Sequence, residues 1–337
     1  MHAGAGTPEW LGQVAEEVVN PAQRIIDPHH HLWPEGGALP YSLADLQADV
    51  GGGHKVIGTV FVECHAAYDK DCAPRLEPVG ETRFVAENAA AVGPDQTPIL
   101  GIVAHADLTL TAGELHEVLD AHAAAGGELF KGIRDAGARD DEPEALTIAG
   151  RGAPDYYADP DFRNGMAILG DRGLSYDTWH YHHQNPAFAE LAAAVPQTTM
   201  VLDHFGTPLG VGRFAGKHDE IFEFWKDDIA AIAANPNVVA KLGGLAMPDN
   251  GFGWHEQSMP PTSDEFVAAQ ERWYLHTIDC FGPDRCMFES NFPVDRFSIS
   301  YNVLWNGLKK IAQRFAPDEQ DQMFFGTANR VYGLDLT

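Results

Sequence analysis

Short apolar runs recur along this chain, and most are separated by stretches whose apolar residues fall at helical spacing. The runs are RIIDPHHH, KVIGTVFVECHA, ILGIVAHADL, LFKGIRDAG, GLSYDTWHY, TTMVLDHFG, VVAKLGGLA and RCMFESNFP. Between them lie helical patterns such as ETRFVAENAAAV, ELHEVLDAHAAAG and IFEFWKDDIAAIAANP. Two longer helices follow, SDEFVAAQERWYLHTIDCFG and ISYNVLWNGLKKIAQRF. The first opens with Ser263 as N-cap and acidic residues in its first turn. Eight strands alternating with helices predict an α/β fold with a parallel sheet. Eight such repeats in 337 residues favour a single (β/α)8 TIM barrel. An open doubly wound sheet would advertise a Gly-rich phosphate turn after an early strand. VGGGHK at 50–55 precedes a strand instead, so its glycines read as a loop. Residues 1–24 read as an N-terminal extension packing on the barrel, and 25–337 as the barrel domain itself.

Two polar, Pro-rich segments interrupt the rhythm, 139–160 after the fourth strand and 245–262 after the seventh. Both fall at the carboxyl face of a barrel, where active sites lie. They read as pocket walls or as plain surface insertions. The strand ends carry the candidate chemistry. His29 and His31 close the first strand two residues apart, so they point the same way, and His30 points the other. Two imidazoles at the mouth of a barrel make half a metal site. Glu63 and His65 end the second strand. Asp177, His180, His182, His183 and Gln184 end the fifth, and Asp203 and His204 end the sixth. A structural ion-pair network could end in similar residues, but the number of histidines argues against it.

Composition narrows the partners. Lys plus Arg number 22 against 49 Asp plus Glu, a formal charge of −27. Such a field repels phosphate, so nucleic acid and anionic membranes are excluded as partners, and a small-molecule substrate is expected. Homo-oligomers remain open. Four cysteines without a CxxC pair fit a reducing cytoplasm. The first residues lack the basic and apolar regions of a signal peptide, and no apolar run approaches a membrane span.

The stretches IIDPHHHLW, VFVECHAAY, FKGIRDAG, GLSYDTWHYHHQ, VLDHFGTP and RCMFESNFPVDR together resemble the amidohydrolase superfamily. The resemblance is to its amidohydrolase-2 branch, with its fuconolactonase-like and 2-pyrone-4,6-dicarboxylate lactonase-like hydrolases, and runs from about residue 23 onward. It implies that His29, His31 and His204 hold a metal. One departure stands out: where the branch commonly ends strand eight in an aspartate, this chain has Asn291. A neutral amide is no general base. Glu63 is therefore expected to supply the missing ligand charge, and Asp177 or Asp295 the acid–base function, with His204 at the reacting centre. Histidines plus one carboxylate suit one divalent zinc, though a metal-free site stays open. Arg134 is expected to hold a substrate carboxylate or to form a barrel-mouth salt bridge. His182, Gln184, Asn291 and Trp179 are expected to line the pocket, with Tyr181, Trp254 and Phe292 as further aromatic walls. Lys131 has opposite parity to Arg134, so no bridging carbamate is expected.

The leading function is hydrolysis of a lactone by attack of water on the acyl carbon. Hydrolysis of an acyclic ester or amide comes next, then a metal-dependent non-oxidative decarboxylase. A non-enzymatic alternative is an inactive ligand-binding homologue.

Overall fold

Each of the eight apolar runs forms a strand in the computed structural model, which describes residues 2–337. The strands are β1 (Arg24–His30), β2 (Lys55–Val62), β3 (Ile99–Ala104), β4 (Phe130–Arg134), β5 (Ser175–Thr178), β6 (Met200–Leu202), β7 (Val238–Leu242) and β8 (Cys286–Phe288). They pair in parallel, each with its sequence neighbour. The ring closes just past β8, where His30 bridges Phe292. There His31 N donates to Phe292 O at 2.8 Å and Asn291 N to His29 O at 3.0 Å. The seam of the barrel therefore lies at the level of the expected site.

Alternate residues of a strand face opposite ways, and the sequence separates them cleanly. Ile26, Val60, Val62, Val103, Val201, Val239 and Met287 meet as one buried cluster inside the barrel. Phe325, Ala328 and Tyr332 from the C-terminal helices plug it from below. Ile25, Phe61, Ile102 and Leu202 belong to the larger cluster between strands and helices. β1 breaks the alternation. Its pairing with β2 shifts register between Asp27 and His30. Pro28 sits in that gap and has no N–H to give a ladder. The shift places Ile26 and His29 on the same interior side despite their opposite parity.

Eight helices follow the strands in turn: α1 (Leu43–Val50), α2 (Val79–Ala91), α3 (Ala112–Gly126), α4 (Pro160–Asp171), α5 (Asn185–Ala194), α6 (His218–Ala233), α7 (Ser263–Phe281) and α8 (Tyr301–Ala312). The N-cap of α7 is Thr262 rather than Ser263. Glu265 reciprocates at the third position in a capping box. Ser263 Oγ instead donates to Glu16 Oε2 at 2.6 Å. That bond, with Asn306 Nδ2 to Glu16 Oε2 at 3.0 Å, holds the N-terminal segment against α7 and α8. The polar segments after β4 and β7 are tied to each other. Asp249 accepts from Thr147 N at 2.6 Å and Ile148 N at 2.9 Å. No helix among the described residues is long and apolar enough to cross a membrane.

Candidate active site

The interior parity that packs the barrel also delivers its chemistry. Two residues beyond inward Val201, Val239 and Met287 come Asp203, Lys241 and Glu289. Glu289 joins two histidines. Its Oε2 lies 2.8 Å from His29 Nδ1, and its Oε1 lies 2.7 Å from His204 Nδ1. These three residues, all buried, could hold a metal ion. His204 sits in a left-handed turn, φ 53°. Its ring fits because position 244 is glycine, at φ +74°; a Cβ there would collide with the imidazole. Gly243 clears Glu289 in the same way. Asp27 braces the seam, accepting from Ser290 N at 3.0 Å and from Tyr301 Oη at 2.9 Å.

The expected ligands divide. His29 and His204 meet at Glu289, and His31 stands beside them with its ring 4.9 Å from that of His29. His31 Nδ1 donates to Val62 O at 2.8 Å, so the neutral ring carries its proton there and its lone pair on Nε2. Glu63, expected as the metal carboxylate, faces Arg134 instead, with Arg134 Nε 2.7 Å from its Oε1. Arg134 also donates to the Glu63 carbonyl and lies 3.5 Å from Asp203 Oδ2. Against the cost of burial, Arg134 and then His65 pull the Glu63 carboxyl down to about 2. Arg134 is thus committed to carboxylates of its own barrel. Lys131 points elsewhere and donates to Gly333 O at 3.2 Å, near the C-terminal plug.

The expected proton carriers are held on both sides. Asp177 Oδ2 accepts from Lys241 Nζ at 2.7 Å and from Tyr332 Oη at 2.7 Å. Asp295 accepts from Asn291 Nδ2 at 2.9 Å and from Ala246 N at 3.1 Å. Asn291, at φ 54°, therefore anchors the loop after β8. Gln184 is spent on the loop after β4, donating to Gly137 O at 2.8 Å and accepting from Arg139 N at 3.1 Å. His182 is buried, with Leu209 N at 3.2 Å on Nδ1 and Nε2 without a partner. The Trp179 indole N–H is also buried without a partner. Phe292 is fully buried against Tyr301, and Trp254 stacks on Phe252. His105 bonds Arg134 O at 3.0 Å and borders a cavity of about 400 Å³ with Pro78, Asp107 and Leu110.

Glu289 and Lys241 are not among the residues expected from the sequence. Parity from Met287 and Val239 points to both, and a lysine inside the apolar run VVAKL is itself a signal. Lys241 is fully buried, 3.3 Å from Asp203 Oδ1 and 3.2 Å from His29 Nδ1. The site is short of positive charge. Four buried carboxylates, Glu63, Asp177, Asp203 and Glu289, face two cations, Arg134 and Lys241. Glu63 Oε2 lacks a hydrogen-bond partner, Asp203 Oδ1 faces the Lys241 ammonium at 3.3 Å, and Glu289 Oε2 faces His29 Nδ1 at 2.8 Å. Burial pushes Glu289 up to about 8 and Asp203 up to about 6. It holds His204 down at about 3 and His29 well below its ordinary value, so both imidazoles are neutral and able to ligate. A buried carboxyl that lacks a counter-charge and is pushed up to about 8, beside neutral imidazoles, fits a cation that would hold it ionised.

The Amidohydrolase family model matches residues 26–334. The chain belongs to the amidohydrolase family. Like the family's amidohydrolase-2 branch, it is a hydrolytic enzyme. This amidohydrolase is 31% identical over 328 residues to the uncharacterized protein y4mH of Sinorhizobium fredii, covering 91% of this chain and 98% of that one. It is 30% identical over 178 residues to an L-fucono-1,5-lactonase of Burkholderia multivorans, covering 52% and 57% of the two chains. A crystal structure of a B. multivorans amidohydrolase with bound zinc shares the fold. The TM-score is 0.69 at 24% identity, over 92% of this chain and 99% of that chain.

Proposed function

We infer that this amidohydrolase opens a small-molecule lactone, with sugar 1,5-lactones as the first substrates to try. The observation that carries the reading is the carboxylate of Glu289 joined to His29 and His204 at the carboxyl mouth of the barrel. The lactonase named among its relatives supports the choice of a cyclic ester. His29, His204 and Glu289 would hold one divalent ion, zinc suiting two nitrogens and an oxygen, and His31 offers Nε2 as a further ligand. The chemistry such an ion supplies is Lewis-acid activation of water near neutral pH. Lys241 and Arg134 keep neighbouring carboxylates charged and fixed. The closed walls, with His29 fully buried and His204 3% exposed, exclude bulk water. The −27 charge favours a small substrate over any polyanion, and four free cysteines suit the cytoplasm.

A panel of 1,5- and 1,4-lactones, acyclic esters and amides, followed by proton release in a pH-stat, tests this. Lactones are expected to release protons with the wild type and not with His204→Ala. Turnover of acyclic substrates alone would replace the lactone reading. Carbon dioxide from aromatic carboxylates would replace it with a decarboxylase, and silence across the panel would leave a binding protein.

A further inference from the structure

We propose that Lys241 is a resident cation that sets how many divalent ions the barrel accepts, and that it limits the number to one. The inference rests on the proposed metal-dependent reading and extends it to a residue that is not itself a metal ligand.

The argument starts from position. Lys241 lies on β7, two residues beyond inward-facing Val239, with its whole side chain inside the barrel. Its ammonium meets Asp177 of β5 at 2.7 Å and Asp203, just past β6, at 3.3 Å. Tyr332 from the C-terminal plug donates to the same Asp177 oxygen, at 2.7 Å, and seals the pair from below. The third direction of the ammonium is His29 Nδ1, at 3.2 Å. Without Lys241, Asp177 and Asp203 would stand as two buried carboxylates beside His29, a donor set for a cation in its own right. With it, they are counter-ions. Arg134 does the same for Glu63 on the opposite side of His29. Only Glu289 is left beside the histidines without a full positive charge of its own. With all four carboxylates ionised, as a bound cation would hold them, the two resident cations leave a deficit of two charges that one divalent ion fills; a second ion would leave an excess of two, but an excess of only one without Lys241. Lys241 is thus a positioning residue: it fixes two carboxylates, and through them the charge that His29 and Glu289 offer.

The test is metal binding by the chelated and refilled full chain, read by equilibrium dialysis against zinc with elemental analysis. The wild type should take one equivalent. Lys241→Met should take two, since Asp177 and Asp203 are then free to bind. Asp177→Asn should take one, at least about tenfold more weakly, although Asp177 is not a ligand, because a nearby charge has been removed. Two equivalents in the wild type would overturn the proposal. So would one equivalent at unchanged affinity in Lys241→Met. If Lys241→Met does not fold, Asp177→Asn decides: unchanged zinc affinity overturns the proposal, and weakened affinity supports it. A wild type that binds no zinc overturns the metal reading itself, and that outcome is distinct because it appears before any variant is compared.

Discussion

Glu63 and Glu289 show how little a residue's type says about its role. Both are glutamates just past the end of a strand, and both are buried. Glu63 is bound by a guanidinium and Glu289 by two neutral imidazoles. The first is therefore a counter-ion and the second has electron pairs to give. Glu63→Gln should leave Arg134 buried with Asp203, at 3.5 Å, as its only carboxylate partner. We expect a loss of about 3 kcal/mol, the low end for a broken buried pair, in urea denaturation. An unchanged midpoint together with lost zinc would instead make Glu63 a ligand. His29 and His204 were legible in the sequence because polar residues ending apolar strands carry a fixed direction. Glu289 was not, because the family motif points to Asn291, two residues on, where the resembling family keeps an aspartate. The Asn291 amide turned out to bind Asp295.

At the scale of elements, the barrel strands were legible because β-branched runs bounded by turns have few other fates. What the pattern could not show is which strand ends face each other. His29 and Lys241 are 212 residues apart in sequence. The turn after β7 illustrates the cost of that gap. Gly243 and Gly244 read as the tail of a strand, VVAKLGG, yet their missing side chains make room for Glu289 and the His204 ring. Gly244→Ala would add a methyl at φ +74° against that imidazole. The displaced ring should slow hydrolysis on the order of a hundredfold, as misplacing a reacting group by an ångström can. Circular dichroism should report an intact barrel. A wild-type rate in this variant would mean that the contact between His204 and Glu289 is not needed.

The whole molecule should carry a pH dependence traceable to buried acids. Glu81 lies in the wall behind β2, accepting from Cys64 N at 3.1 Å and Ala66 N at 2.7 Å. Burial, then the charge of Glu63, pushes its carboxyl up to about 8. The folded chain then holds a proton that the unfolded chain has released above about 4.5. Stability from this group is complete below about 4.5 and is lost as pH rises through about 8. His30 and His122 act in the opposite sense. Burial holds them at about 3 and about 4, so they favour the fold above about 6.5 and cost stability as pH falls. Thermal midpoints of the metal-free protein should therefore decline between about pH 6.5, above which the histidine contribution is complete, and about pH 8, the upper end of the window set by Glu81. In Glu81→Gln that alkaline decline should flatten; an unaltered slope would assign it to other groups.

The claim on which the account depends is that Glu289, with His29 and His204, forms the metal-binding centre of this hydrolase. Zinc content of the purified Glu289→Gln variant, measured by elemental analysis beside the wild type after identical zinc loading and dialysis, tests it most directly. The account predicts about one equivalent in the wild type and less than about a tenth of that in the variant, since an amide replaces the only anionic ligand. Full zinc occupancy in Glu289→Gln would contradict it.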